Sequence, residues 1–463
     1  MDRPRATPPG PIAVFCRDDP FTRAGHTHGK AFRDVVRNLR GELANPPDFV
    51  AYPRNEADIT AVLDWAASAG LPVVPYGGGT SVVGGVEYRG GGPWLSLDLG
   101  ELAGVVEVDE VSRAARVLAG TLGPAVEEGL RGYGLTLRHY PQSFEFSSFG
   151  GWLATRAAGH FATGTPRIDS AVESLRVVTP TGISESSRVP GTGAGPDPHG
   201  LWLGSEGILG VIVEGWVRVL PRPVHRARAA VGFVEYDDAV AAVRAIVQSG
   251  LLPSNCRLLD PLEGMLNAGV DDGTSRLLLG FESADHPVEA ALARTIELAR
   301  DHGGAPVAES TVDEWRDAFV AAPYRRDALA RLGIVVETFE TACTWSAFMA
   351  LHAAVMRAAA DRGAIVTCRF THVYPDGPAP YFTAYAPGRR GAELRIWDEL
   401  KAAVSDAIAG NGGTITHHHA VGRDHRPWYD RERTEPFAAM LSAAKRVLDP
   451  AGILNPGVLV DLA

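Results

Sequence analysis

Residues 75–81 read Pro75-Tyr76-Gly77-Gly78-Gly79-Thr80-Ser81, three adjacent glycines behind a short apolar run. Adjacent glycines strip side chains from the backbone and open dihedrals that other residues avoid, so the chain can lie close against a ligand. Two phosphate loops are excluded at once. A P-loop needs Lys and Ser or Thr after its last glycine, and a dinucleotide fingerprint needs spaced glycines that open a helix. Here Val82-Val83-Gly84-Gly85-Val86 follows, then Gly90-Gly91-Gly92-Pro93 and Trp94-Leu95-Ser96-Leu97-Asp98, which read as loop and strand. On residues alone, a cofactor loop and a glycine-rich turn stay equally open.

Working outward, Phe49 to Pro53 reads as a strand. Asn55-Glu56-Ala57-Asp58 leads into a helix over Ile59 to Ala69, and Leu71 to Pro75 is the strand that feeds the glycines. Strands are expected at Val105–Val108 and Ala115–Ala119, and a helix from Pro124 to Tyr133. The composition changes near Pro221-Arg222-Pro223. Beyond it strands (Ala229–Val234, Leu277–Phe281) alternate with helices (Asp237–Gln248, Pro287–His302), the pattern of a second α+β domain. Glu435 to Leu448 reads as an amphipathic helix.

With 463 residues the chain is too long for one ordinary core. A net charge of −11 argues against nucleic acid or an anionic membrane as the main partner. The four cysteines, Cys16, Cys256, Cys343 and Cys368, are widely spaced and suggest neither a zinc site nor a disulfide framework, so a cytoplasmic setting is expected. No apolar run reads as a signal peptide or a transmembrane segment.

Four further clusters accompany the glycine loop. They are His139-Tyr140-Pro141-Gln142-Ser143-Phe144-Glu145-Phe146-Ser147-Ser148-Phe149-Gly150-Gly151-Trp152, Leu203-Gly204-Ser205-Glu206-Gly207-Ile208-Leu209-Gly210-Val211-Ile212, Thr416-His417-His418-His419-Ala420-Val421-Gly422, and Asp449-Pro450-Ala451-Gly452-Ile453-Leu454-Asn455-Pro456-Gly457. In this order, and with Arg23-Ala24-Gly25-His26 near the start, the chain resembles the FAD flavoproteins of the vanillyl-alcohol-oxidase class, the PCMH fold. Within that class it is most similar to the alkyldihydroxyacetonephosphate synthases. The resemblance covers nearly the whole chain.

That resemblance implies an α+β fold with a two-lobed PCMH-type FAD-binding domain over 20–222 and an α+β cap with an antiparallel sheet over 223–425. A flexible arm (1–19) precedes them, and a C-terminal segment (426–463) returns to the FAD domain. It implies flavin N5 chemistry that exchanges the acyl group of acyl-dihydroxyacetone phosphate for an alkyl group. The alternative is an FAD-linked oxidase or dehydrogenase of a 2-hydroxy acid or alcohol. The substrate is then a small or lipid-like anion. The oligomeric state is open, a homodimer included.

The cofactor contacts carried over are Pro75 to Ser81, whose amides can satisfy a pyrophosphate without lysine, then Pro141, Ser143, Ser147, Ser148, Gly150, Gly151 and Trp152. There the start of a helix would add free N–H groups. Gly204, Ser205, Glu206, Gly207, Gly210, Val211, Ile212 and Arg257 complete the set. Ile208 stands where the family usually has Thr, and Gln142 where it has an acid. Relatives that tether FAD do so through a histidine in the glycine loop. Thr80 and Ser81 stand there, so the FAD is expected to be non-covalent.

For chemistry the triplet His417, His418 and His419 stands out, because histidine titrates near neutrality. If 414–420 is a strand, His417 and His419 share one face. A surface tract or a metal site would be the alternatives from the residues alone, and no further motif supports a metal. The resemblance makes the triplet catalytic, together with Tyr381 and His139. Arg326, in Tyr324-Arg325-Arg326-Asp327, is carried over for phosphate or carboxylate, with Tyr374 and His372 as further substrate-binding candidates.

Overall fold

The computed structural model describes residues 2–163 and 167–461. The outermost residues of the expected arm and tail, Met1 and 462–463, lie outside them. The chain divides into two compact units. The first contains residues 1–158, 167–220 and 418–463, and the second 159–166 and 221–417.

The first unit is built on two sheets. A four-stranded sheet runs in the order Cys16–Arg17, Phe49–Ala51, Leu95–Asp98, Val73–Tyr76; its first pair is antiparallel and the rest parallel. A five-stranded antiparallel sheet runs Val105–Asp109, Ala114–Leu118, Val211–Arg218, Val172–Thr179, Gly182–Glu185. The crossover helix Glu56–Ala69 starts where Asn55 caps it, its side chain accepting from the Asp58 amide at 2.9 Å, and stops at Gly70 with φ 62. That cap is worth about 1 kcal/mol. Its buried face (Ile59, Val62, Leu63, Ala66) packs with Phe49, Val73, Leu95 and Leu97.

The C-terminal stretch is tied into this unit. Val73 N donates to Ile453 O, and Asn455 N to Val73 O. Helix Glu435–Leu448 places Lys445 in the interior, where Nζ donates to Ile208 O, Asp449 Oδ2 and Leu454 O at 2.7–2.8 Å. Three acceptors satisfy the three ammonium donors, which is the condition for burying a lysine. Ile208 itself is fully buried in the apolar cluster with Leu209, Trp152 and Leu153.

The second unit carries a seven-stranded sheet in the order Ala305–Val307, His225–Phe233, Ser275–Ser283, Asn255–Leu259, Ile365–Val373, Pro378–Pro387, Ile334–Glu340. Its paired neighbours are antiparallel. Helices Tyr236–Gln248, Glu289–Asp301, Trp345–Ala360 and Glu393–Gly410 pack on it. Val366 to Val373 are buried at every position, so polar side chains on that strand must find partners inside the protein. A bulge between Phe370 and His372 breaks the register, the kind of irregularity that re-aims a side chain.

Three expectations are corrected. The N-terminal arm is not loose. Arg5 makes a bidentate pair with Asp48, and a short helix, Gly10–Ala13, buries Ile12 in the core. Residues 414–420 form no strand, so the alternation of histidine faces does not hold. The second unit ends at His417 rather than at 425, and it also takes in 159–166.

Candidate functional site

The glycine loop turns sharply after strand Val73–Tyr76. Gly79 has φ 65, and a Cβ there would lie 1.9 Å from the Tyr76 hydroxyl; a Cβ on Gly78 would lie 1.6 Å from Phe146 O. Glycine is therefore demanded by packing as well as by dihedral. Among the described residues, no protein acceptor takes the amide protons of Gly77, Gly78, Gly79, Thr80 or Ser81. A run of five unspent, partly buried amides is the donor set a pyrophosphate needs, so this loop fits the cofactor. Tyr76 leans on the His26 ring at 4.3 Å, and burial raises its phenol well above the ordinary range. The Ser81 hydroxyl is used internally, accepting from Gly85 N at 2.9 Å.

The 141–152 segment packs beside this loop but does not offer what was expected of it. Helix Phe149–Thr155 is short, and its leading amides are spent: Phe149 N donates to Thr121 O, Gly150 N to Ala119 O and Gly151 N to Ser148 Oγ. No free N–H remains at its first turn for an anion. Ser143 O accepts from Phe146 N and Ser147 N in a turn that starts after Pro141. Ser147 Oγ accepts from Trp152 Nε1 at 2.7 Å, and Gly150 is needed where a Cβ would meet Ala119. His139 is buried with its ring 4.7 Å from Trp152, and its Nε2 has no protein partner among the described residues. Burial pushes its pKa down to about 3, so it is a neutral imidazole at pH 7.

The 204–212 segment reaches the glycine-loop strand through Gly207, where a Cβ would lie 2.8 Å from Pro75. Gly210 then fits against Val177 as strand Val211–Arg218, carrying Val211 and Ile212, begins. Gly204 and Gly207 have φ 80 and 75, and Ser205 is buried between them. Glu206 is bonded to the main chain of another segment. Its carboxylate accepts the N–H of Val421 at 2.9 Å and of Gly422 at 2.8 Å. His418 and His419, half-buried just before that loop, stand edge to face with ring centroids 4.7 Å apart.

In the second unit, Tyr374 Oη and His417 Nε2 share a hydrogen bond of 2.8 Å, and the buried His372 ring lies 5.3 Å from that of His417. His417 is held from behind, its N–H donating to Glu340 Oε2 at 2.6 Å while the Thr416 hydroxyl donates to the other oxygen. Tyr381, expected as the catalytic phenol, pairs across the sheet with Arg369, whose guanidinium lies 4.0 Å over its ring. Burial raises its pKa, while Arg369 pulls the other way. Arg369 is neutralised by Glu263 at 2.9 Å.

Arg257 is 1% exposed, stacked on Trp315 at 4.5 Å and Phe319 at 5.4 Å, with Nη2 bound to His160. Its Nε and Nη1 are buried without a partner among the described residues, and burial with Arg369 nearby pushes its pKa down to about 9. Sequence reasoning missed His160 and Arg369, which carry no local motif. Arg326 lies on helix Ser310–Arg331 and turns to its own neighbour, with Nε and Nη2 on Asp327 at 3.0 and 2.8 Å, rather than to another candidate.

Residues 47–186 match the FAD binding domain family, and residues 222–459, more than half of the chain, match the family of FAD linked oxidases, C-terminal domain. A Caenorhabditis elegans alkyldihydroxyacetonephosphate synthase is 30% identical, over 94% of this chain and 79% of the relative. The chain belongs to the alkyldihydroxyacetonephosphate synthase family of FAD-linked oxidases. The family member of that name from Dictyostelium discoideum is 28% identical over 96% of this chain and 78% of its own length. A solved alkyldihydroxyacetonephosphate synthase structure superposes with a TM-score of 0.85 at 25% identity, covering 98% of this chain and 87% of that one.

Proposed function

We propose that this chain is an FAD-dependent enzyme that exchanges the acyl group of acyl-dihydroxyacetone phosphate for an alkyl group, as the names of its relatives indicate. The observation that carries the reading, beside the family, is the Tyr374–His417 hydrogen bond with His372 alongside it. Such a pair can take a proton from a substrate carbon and return it, because phenol and imidazole exchange a proton across 2.8 Å without moving. FAD, when bound, supplies the electrophilic isoalloxazine, and this chain's residues supply the rest.

Gly77 to Ser81 would hold the pyrophosphate through main-chain N–H groups. With no histidine in that loop, the FAD is non-covalent. His417, seated by Glu340, is the leading acid-base residue, with His418 and His419 beside it in sequence. Tyr381 is the second phenol, electrostatically linked to Arg369. Arg257 has two unspent donors for an anionic oxygen, and Arg326 keeps Nη1 for a phosphate. Among the described residues no helix is long and apolar enough to cross a membrane. The four cysteines are free, three of them buried, which suits a reducing, cytoplasmic compartment.

The test is anaerobic. The oxidised flavin band should fall when acyl-dihydroxyacetone phosphate is added and return when a fatty alcohol follows. No response to either, with bleaching by a 2-hydroxy acid and recovery in air, would make the chain an oxidase.

A further inference from the structure

The proposed mechanism gives the buried Glu206 no task. Glu206 occupies a left-handed position, φ 51, between two glycines that are left-handed as well. A glutamate gains nothing from that conformation. Among the described residues its carboxylate meets no cation within hydrogen-bonding distance; both oxygens go to main-chain N–H groups, Oε1 to Val421 and Oε2 to Gly422. Burial drives its pKa up to about 7, so an ionised carboxylate is costly there. A glutamine would avoid the charge, but its NH2 would face one of the two amides. Only a carboxylate accepts from both.

The loop it grips is itself strained. Ala420 has φ 71 and Gly422 φ 53, and a Cβ on Gly422 would lie 2.1 Å from Val83 O. Further ties hold the same place. Arg423 N donates to Val83 O at 2.9 Å, Arg423 Nη1 to Gly84 O at 2.9 Å, and Arg423 Nη2 to Asn455 Oδ1 and Pro456 O at 3.0 and 2.7 Å. Asn455 Nδ2 closes the circle by donating to Glu206 O at 2.7 Å. Three segments far apart in sequence are thereby knotted around the stretch that immediately follows His418 and His419.

We infer that Glu206 is a positioning residue: its carboxylate, by gripping Val421 and Gly422, sets where His418 and His419 stand, rather than contacting the cofactor. The inference rests on the reading of those histidines as catalytic, and its first readout does not depend on that reading. Hydrogen exchange of the holoenzyme should show the Val421 and Gly422 amides as slow as those of strand Val211–Arg218. In Glu206→Gln and Glu206→Asp they should exchange at least about tenfold faster, with the strand unchanged. Turnover should fall roughly 10- to 100-fold with KM within about threefold and FAD content unchanged, since a small misplacement of a reacting group costs kcat.

Fast exchange in the wild-type protein overturns the proposal, and that arm holds even if both variants fail to fold. Slow exchange in folded variants also overturns it. Loss of FAD with the loop still protected would make Glu206 a cofactor ligand instead. Faster exchange with kcat within twofold of wild type would leave a clamp without a catalytic consequence, and sinks the positioning role. If wild-type protein never turns over acyl-dihydroxyacetone phosphate while the exchange pattern is as expected, the functional reading has failed and the clamp has not.

Discussion

Between Gly77 and Ser81 no acceptor among the described residues takes the main-chain amides, and the side chains are pared away. Between His417 and Gly422 the amides of His417, Val421 and Gly422 are spent on carboxylates, and the side chains are histidines. In the proposed reading one loop offers backbone to the cofactor, and the other ties its backbone down beneath the histidines. A pyrophosphate needs several weak donors at fixed spacing, which a bare backbone supplies. Proton transfer needs a titratable ring held at hydrogen-bond distance, which requires the chain beneath it to be pinned. Glu340 does the pinning in the second unit and Glu206 in the first.

The sharpest way to break this contrast is at the ring itself. His417→Ala should lower turnover by about 10³-fold or more with the flavin spectrum of bound FAD unchanged. A variant with a tenth of wild-type activity would remove His417 from the chemistry. The reverse effect is expected at the other loop. Gly78→Ala forces Phe146 O aside and should raise the FAD dissociation constant about 100-fold, measured by flavin release on dilution. Gly91→Ala, where a Cβ meets nothing within 4 Å, should bind FAD like the wild type.

Tyr374→Phe removes the phenol that is hydrogen-bonded to His417. It should cost roughly tenfold in kcat and move one limb of the kcat–pH profile, because the imidazole loses this hydrogen bond. A profile that is lower but unshifted would assign Tyr374 a purely steric role.

The smallest effect is in stability. Glu206 is raised from 4.5 to about 7 when folded, so between those pH values the folded state holds a proton that the unfolded chain has released. Its contribution is therefore fully present below about pH 4.5 and is lost as pH rises through about 7, by at most roughly 3 to 4 kcal/mol. Arg423 and the two amides oppose the shift, and Tyr429 lies near enough to feel the charge. Glu206→Gln should flatten that slope, seen as a melting-temperature difference of a few degrees that changes between pH 5 and 8. A difference that is constant across that range would mean that Glu206 titrates normally.

The glycine loop was legible because its requirements are local. Gly79 answers to Tyr76, three residues away, and the unspent amides are consecutive. Helix Glu435–Leu448 was read with its bounds for the same reason, its apolar spacing lying within one segment. The free helix terminus expected after Ser148 failed because Thr121 O and Ala119 O, brought in from a neighbouring strand and turn, take the protons. The strand expected over 414–420 failed because a period of two in three histidines is no evidence of a pairing neighbour. Arg326 was carried over from a motif, yet its guanidinium turns to Asp327, which a one-dimensional pattern does not reveal.

By itself the sequence determined the α+β class and the residue types available for proton transfer, because these follow from composition and from spacing over a few residues. The tertiary structure alone decided which phenol meets which histidine and what holds the triplet in place. The reason is distance along the chain. Glu340 lies 77 residues from the His417 amide, and Glu206 lies 215 and 216 residues from the amides of Val421 and Gly422. A buried carboxylate and the N–H groups it satisfies carry no mark of each other until folding excludes water and leaves each the other's partner.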